Sequence, residues 1–319
     1  MRKLLLLTQW DDDGTYFYRL KPLFYIKHPD IIIERKPYLG NINYSFFDGY
    51  DALIMERPSA SHDLMCIKLA KQCGLKVITD WDDDCLHLDQ YNPMWHTYEQ
   101  TKPILMECIR LSDEVWVSTI GIKKSFKFLN KNIHVIPNAH NDYLMPIENK
   151  KAFNPNTKKA IWRGGGSHEA DVYEKAEQLI DVINNNKDWQ FQFIGFRFIA
   201  MEQRCGDNYL PVSLMPLMQY FNYLHKENPN IVFHPLSNNK FNEGKSNIAW
   251  LEATYAGAAF IGNTTLPEFN KKSILSLDFF GGSLYEDIKK PVDISWEYIC
   301  DELLLSNVNE VRKERLLSL

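Results

Sequence analysis

Short, continuously apolar runs alternate along this chain with longer stretches whose apolar residues recur at three- and four-residue spacing. Such alternation marks buried parallel strands joined by amphipathic helices. Residues 3–9 read as a first strand, with 31–34, 52–55, 75–79, 114–118 and 133–136 as further strands. Helical spacing falls in 16–26, in the segment after Ser59 that runs to Cys73 and is stopped by Gly74, in 101–111, and in a segment ending near Asn130. From about Asp142 to Thr157 the pattern lapses into Pro, Asn and Lys, as in a linker. It resumes with strand 159–163, helix 168–185, strand 189–194, helix 214–227 and strand 231–233. A helix starting near 245–247 then leads to strand 258–261, and an amphipathic helix at about 296–315 closes the chain. The pattern predicts an α/β protein of two doubly wound domains with a cleft between them, 1–142 and 158–295, joined by linker 143–157 and followed by a C-terminal helix in 296–319.

Composition narrows the class. A hydrophobic content of 45% and a charged content of 24% are those of a water-soluble globular protein, and no apolar run approaches a membrane helix. The start, MRKLLLLTQW, lacks the apolar length and small-residue cleavage site of a signal peptide and reads as a buried strand. The six cysteines are scattered without a CxxC pair or zinc spacing, which predicts reduced thiols and a cytoplasmic protein. A net charge of −5 supplies no overall attraction to nucleic acid.

Candidate chemistry collects where ligands of parallel sheets collect, at the carboxyl ends of strands. The stretch FNEGKSNIAWLEATYAGAAFIG places Lys245, Ser246 and Asn247 at the start of a helix that Gly257 closes. Free N–H groups, the positive end of the helix dipole and a fixed cation together suit a phosphate or diphosphate. Glu252, two turns in, is placed to accept from the hydroxyl pair of a sugar or ribose. Arg163 with Gly164, Gly165 and Gly166 forms a strand-to-helix turn that lets backbone approach a ligand, and with Lys245 it would grip a diphosphate leaving group. In the first half, polar loops fall at 11–13, 56–57 and 80–84. Asp80, Asp82, Asp83 and Asp84 read either as oxygen ligands of a divalent metal or as an acidic loop whose repulsion a partner such as Arg57 relieves. His62 and His87 show no partner in sequence. No GxSxG, HExxH or Cys/His signature supports a hydrolase.

Three stretches together, DWDDDCLHLDQYNP, EVWVST with VIPNAHN, and KSNIAWLEATYAGAAFIG, resemble the family-4 retaining glycosyltransferases of the GT-B fold, most of all a compact bacterial and phage-type subgroup. The resemblance spans roughly residues 77–262. It implies two Rossmann-like domains, with a nucleotide sugar, here a UDP-sugar, held mainly by the second. Acceptor contacts would come mainly from the first domain, through Asp13, Gly14 and Arg57, with the last helix crossing back onto it. Arg163 and Lys245 would neutralise the donor diphosphate, Gly164, Gly165, Gly166, Ser246 and Asn247 would surround it, and Asp82 and Asp84 would line the sugar pocket. Glu252 matches the second glutamate of the family's E-x7-E motif and would bind the ribose. The first glutamate falls on Gly244, with Glu243 adjacent and out of register, which departs from the family pattern. The GT-B type implies no required cofactor and lowers the expectation of an essential divalent metal.

The acceptor stays open among glycan, lipid, protein and modified DNA. The Asn- and Lys-rich composition suits a phage enzyme acting on a hydroxymethylated base, and Lys123, Lys124, Lys127 and Lys131 form a local basic segment, while the net charge of −5 opposes DNA. The missing first glutamate also admits a non-catalytic nucleotide- or carbohydrate-binding protein. Oligomeric state is not legible in the sequence.

Overall fold

The computed structural model describes residues 1–8, 13–37, 42–271, 273–276 and 289–319, so Asp11, Asp12 and Gln9 of the predicted first strand and loop lie outside the described residues. The first half contains β1 (Arg2–Thr8), β2 (Ile31–Pro37), β3 (Ala52–Glu56), α1 (Ser61–Gln72), β4 (Lys76–Trp81), α2 (Trp95–Leu111), β5 (Glu114–Val117), α3 (Ile120–Phe126) and β6 (Ile133–Val135). After a stretch with one 3-10 turn at Ile147–Asn149, the second half contains β7 (Lys159–Arg163), α4 (Glu169–Glu174), α5 (Ala176–Asn185), β8 (Gln190–Ile194), α6 (Ile199–Arg204), β9 (Tyr209–Val212), α7 (Leu217–Glu227) and β10 (Ile231–His234). The chain continues through α8 (Ile248–Tyr255), β11 (Ala259–Gly262), β12 (Leu275–Ser276), α9 (Lys289–Glu302) and α10 (Leu305–Ser318).

The strands form two all-parallel six-stranded sheets, ordered β2-β1-β3-β4-β5-β6 and β12-β11-β10-β7-β8-β9. The leucine run of β1 shows why its apolar positions do not alternate with polar ones. Leu4 and Leu6 join the core on one face with Ile54 and Ile78, whereas Leu5 and Leu7 join the other with Leu53 and Val77. Both faces are covered by helices, so every position of the strand is paid in burial. The second sheet repeats the arrangement, with Ile161, Val232 and Phe260 on one face and Trp162, Phe193 and Ile261 on the other.

Several elements differ from the sequence pattern. β4 runs on through Asp80 and Trp81, so Asp80 is a buried strand residue and not part of the loop. Residues 16–25 form a π-helical turn followed by a 3-10 turn instead of one α-helix. The predicted helix 168–185 breaks at Lys175, whose φ of −104° and ψ of 10° leave the helical region. α6 and β9 occupy a stretch in which no element is predicted. The C-terminal segment is two helices: His140 donates its backbone N–H to the carbonyl of Leu303 (2.8 Å), and Leu305 donates to that of His140 (2.8 Å). Those backbone groups cannot also serve a helix, so the break falls there. α9 packs on the second half, where Trp250 Nε1 donates to Ser295 (2.9 Å). α10 packs on the first, burying Leu305, Val308 and Leu316 beside Leu4 and Leu6, and Asn309 donates to the carbonyl of Pro22 (2.9 Å). All six cysteines are free thiols. Among the described residues no helix is long and apolar enough to cross a membrane.

Candidate functional site

Strand order reverses direction between β1 and β3 in the first sheet and between β7 and β10 in the second. A crevice opens at such a switch point, because the connecting helices leave to opposite faces. Residues 13–15 and Glu56–Arg57 follow the first pair of strands, and Arg163, the glycine turn and His234 sit at the ends of the second.

In the second half, Arg163 donates through Nε (3.0 Å) and Nη2 (2.7 Å) to Oε2 of Glu252. Tyr220 donates to the same oxygen (3.1 Å), and Tyr18, from the first half, donates to Oε1 (2.8 Å). Burial, and next the Glu252 charge, push both tyrosine hydroxyls well above their ordinary range, so both remain donors. Burial opposes the Arg163 charge, but Glu252 more than offsets it and Arg163 stays cationic. Lys245 sits over the Phe241 ring (4.4 Å) and pairs with Asp83 across the halves (3.0 Å). Burial would raise the Asp83 carboxyl; Lys245, with lesser help from Arg57 and His168, outweighs it and holds the carboxyl below its usual range.

Two histidines complete this corner. The rings of His168, directly after the glycine turn, and His234, at the end of β10, meet edge-on at 4.6 Å. Burial first, and then the positive charges of Lys245 and Arg163, depress both, His234 most, so both are neutral near pH 7. His168 Nδ1 reaches Asp171 (3.2 Å), whereas His234 Nδ1 is buried with no partner among the described residues.

On the first-half side Arg57 lies between three carboxylates: Glu56 (3.4 Å), Asp82 (3.5 Å) and Asp13 (3.7 Å). Its φ of +39° is strained for a side-chain-bearing residue, a conformation that persists where surroundings impose it. Thr15 donates to Asp82 (2.6 Å) and Thr8 to Glu56 (2.6 Å). Burial pushes the Glu56 carboxyl up to about 7, against the lowering pull of Arg57.

Three cavities border these groups. One of about 340 Å³ has Asp13 and Gly14 on one side, Arg163, Gly164 and Gly165 on the other, and an apolar wall that includes Ile194, Met215 and Leu217. A second, about 370 Å³, is bordered by Glu56, Arg57, Asp83 and Tyr98. The third and largest, about 770 Å³, shares Asn92, Ser167 and Phe241 with the second.

The expected site residues therefore fall into distinct groups. Asp13, Gly14, Arg163, Gly164 and Gly165 face one cavity, and Asp13, Arg57 and Asp82 share one charge network. Gly166 abuts Pro93 of the first half, where an added Cβ would lie 3.4 Å from the ring. The helix expected to start at 245–247 starts at Ile248 instead; Asn247 occupies its N-cap position with no side-chain capping bond, and Ser246 Oγ accepts from Asn138 (2.9 Å). Asp84 turns inward, accepting from the backbone of Leu86 (3.2 Å) and contacting His87 (2.9 Å). Glu243 pairs with Lys240 (2.6 Å) on a half-exposed side chain. At Gly244 a Cβ would lie 3.0 Å from Asp84 Cβ and 3.2 Å from Ile122, while Thr119 donates to its carbonyl (2.9 Å). At that close approach of the two halves, any side chain at 244 has to displace its neighbours.

The acidic run resolves into separate partnerships. Asp80 forms a fully buried bidentate pair with Arg19 (2.7 and 2.9 Å), and Asp82, Asp83 and Asp84 face Arg57, Lys245 and His87 respectively. Among the described residues no three His, Cys, Asp or Glu side chains converge to hold a metal ion. Tyr18, Tyr220 and His168 escaped sequence reasoning, whereas Glu56 stood in an expected polar loop at a strand end; the position of His168 just past a glycine turn was the one available signal.

No protein-family model and no curated protein sequence matches the chain. Solved structures do resemble it. An alpha-glucosyltransferase in complex with UDP and DNA superposes with a TM-score of 0.67 at 12% identity over 99% of this chain and 100% of that one. HepE of Anabaena in complex with UDP gives 0.59 at 11%, covering 100% of both chains. TarM gives 0.62 at 12% over 86% of this chain, which spans 57% of TarM's length. These likenesses establish the fold: two Rossmann-like α/β domains facing a cleft, the GT-B arrangement.

Proposed function

We propose that this protein is a glycosyltransferase that moves a sugar from a UDP-sugar to an acceptor hydroxyl with retention of configuration, in the manner of family-4-like enzymes. The observation that carries the reading is the pair of cations at the second sheet's switch point. Arg163, at the head of the glycine turn and on the wall of a partly apolar cavity of about 340 Å³, and Lys245, in the loop after β10, are each held by a carboxylate. An apolar slot with a cation on its wall suits a nucleobase joined to a diphosphate. UDP is bound in the resembling alpha-glucosyltransferase and in HepE, which supports uridine as the base.

In this reading the diphosphate takes Lys245 from Asp83 and approaches Arg163 and the backbone of Gly164 and Gly165. As the bond from the sugar's anomeric carbon to the diphosphate oxygen breaks, the two cations stabilise the charge that develops on the leaving group. The acceptor hydroxyl attacks from the face the diphosphate leaves and passes its proton to the departing phosphate oxygen. Arg163 and Lys245 carry the electrostatic work. Glu252, buried and already accepting from Arg163, Tyr220 and Tyr18, fixes Arg163 in place of the expected ribose contact. Arg57 faces the acceptor side, whereas Asp13 and Gly14, expected there, border the nucleobase cavity with Arg163. The segment 158–295 then holds the donor, and 1–142 contributes acceptor contacts from across the cleft.

A thermal-shift panel of UDP-, GDP-, ADP- and CDP-sugars, each with and without magnesium, tests this. A ligand at 100 times its Kd stabilises the folded state by about 2.7 kcal/mol. Selective stabilisation by a UDP-sugar is the expected result. A folded protein that none of the four stabilises is not a transferase of this kind.

A further inference from the structure

We propose that the cavity of about 770 Å³ binds the acceptor and takes an uncharged or amine-bearing carbohydrate chain, excluding polyanions such as DNA. The inference rests on the transferase reading and specifies its acceptor. Position is the first argument. The cavity adjoins the one of about 370 Å³ across Asn92, Ser167 and Phe241, and Asp83, the partner of Lys245, borders that smaller cavity. A molecule seated in the larger space thus lies beside the cavity that Asp83 borders, on the side of Lys245, one of the cations assigned to the leaving group.

Charge is the second argument. Asp89, Glu169, Asp171 and Glu174 border the cavity, and no Lys or Arg is among the residues that line it. Lys175 offsets Glu174 from outside (2.9 Å). Asp171 stays ionised: burial opposes its charge, but His168, the backbone of Ser237 and Asn242 all donate to it. Phosphodiester chains are bound by lysine and arginine, and this wall would repel them. The exposed lysines 123, 124, 127 and 131 lie elsewhere and do not border the cavity.

Hydrogen-bonding capacity is the third. Asn92, Asn238, Asn239 and Asn242 supply amides that donate and accept, as a sugar's hydroxyls require. Asn242 is 2% exposed and spends both amide protons, on Asp171 (2.9 Å) and on the carbonyl of Ser237 (3.0 Å), yet its Oδ1 is buried without a partner. Tyr91 and Tyr173, 70% and 42% exposed, offer flat faces for the C–H side of a pyranose.

The test uses the full-length protein on an array carrying neutral, amine-bearing, and sulfated or phosphorylated glycans, with a hydroxymethylcytosine duplex in parallel. UDP is titrated into the same preparation. We expect retention of neutral or amine-bearing glycans that is insensitive to salt, and no retention of the duplex. Tyr91→Ala, at an exposed position, should weaken glycan binding roughly three- to tenfold with UDP affinity unchanged. Asn238→Asp, at an exposed cavity position whose Oδ1 accepts from Asn263 and Thr265, keeps the shape of the side chain, adds a charge, and should shift preference further toward amine-bearing glycans. Preference for anionic glycans or for the duplex overturns the assignment. So does UDP binding with no glycan retained. Absence of UDP binding instead overturns the transferase reading beneath it.

Discussion

The two ends of the cleft are built from opposite materials. At the inner end the charges are paired across the halves: Lys245 of the second with Asp83 of the first, and Arg163 with Glu252, which Tyr18 of the first half also holds. The adjoining cavity is small and partly apolar. At the outer end the cavity is more than twice as large, its charges are all of one sign, and its uncharged polar lining is amide and hydroxyl. The contrast teaches where each kind of energy is available. Paired, partly buried cations bind a multiply charged group by exchanging one anion for another, so the cost of desolvating them is met by folding rather than by binding. Open amides and exposed rings recognise shape and hydroxyl pattern at little electrostatic cost. Because the inner pairs also tie the halves together, a diphosphate that takes Lys245 from Asp83 would exchange a protein–protein contact for a ligand contact.

Lys245→Ala is the most forceful way to break the comparison. Removing one preorganised stabiliser of developing charge typically lowers turnover about a hundred- to a thousandfold. The fold should hold, because the pair it breaks is partly exposed at Asp83. Turnover measured with a UDP-sugar checks this, and a rate equal to the parent's would remove Lys245 from the inner end's chemistry.

Gly244→Glu sharpens the boundary between the ends. It restores the family's missing glutamate in sequence, but the new side chain meets Asp84 and Ile122 where the halves touch. Overpacking of this kind costs roughly 1–3 kcal/mol, so the urea midpoint should fall and turnover should not rise. An active variant with an unshifted midpoint would mean that the closed contact at Gly244 is not one the working enzyme keeps.

The fold was largely legible because β1, β3, β4 and β7 carry their information locally. A strand buried on both faces is apolar at successive positions, and its ends are marked by charge. What escaped was decided at a distance. The edge strand β9 contains Pro211, which in a sequence argues against a strand and is tolerated only at an edge or a bulge. The division of the last helix depends on His140, far earlier in the chain. The candidate site follows the same rule. Arg163, Lys245 and Glu252 stood out by residue type and by position after strands. That Glu252 would be met by Tyr18, 234 residues away, or that the carboxylates of 80–84 would scatter to four different partners, is a property of packing that no local spacing records.

The smallest predicted effect separates the two sides of the cleft by pH. Glu56, on the first-half side, is pushed by burial up to about 7 from an ordinary value of 4.5. Between those values the folded state holds a proton that the unfolded state has lost, so Glu56 costs stability progressively as pH rises and most fully above 7. His234, at the inner end, is depressed well below 6.5, by burial first and then by His168, Arg163 and Lys245. Below 6.5 the unfolded state takes up a proton that the folded state refuses, so His234 costs stability as pH falls. The two groups therefore act in opposite directions. Glu56→Gln should be more stable than the parent at pH 8, by on the order of 1–2 kcal/mol, with the advantage shrinking toward pH 5. His234→Gln should show its advantage only below pH 6.5 and lose it above. Melting temperatures of the parent and both variants across pH 5 to 8 decide the matter, since curves that differ by a constant offset would show that neither group titrates as its surroundings require.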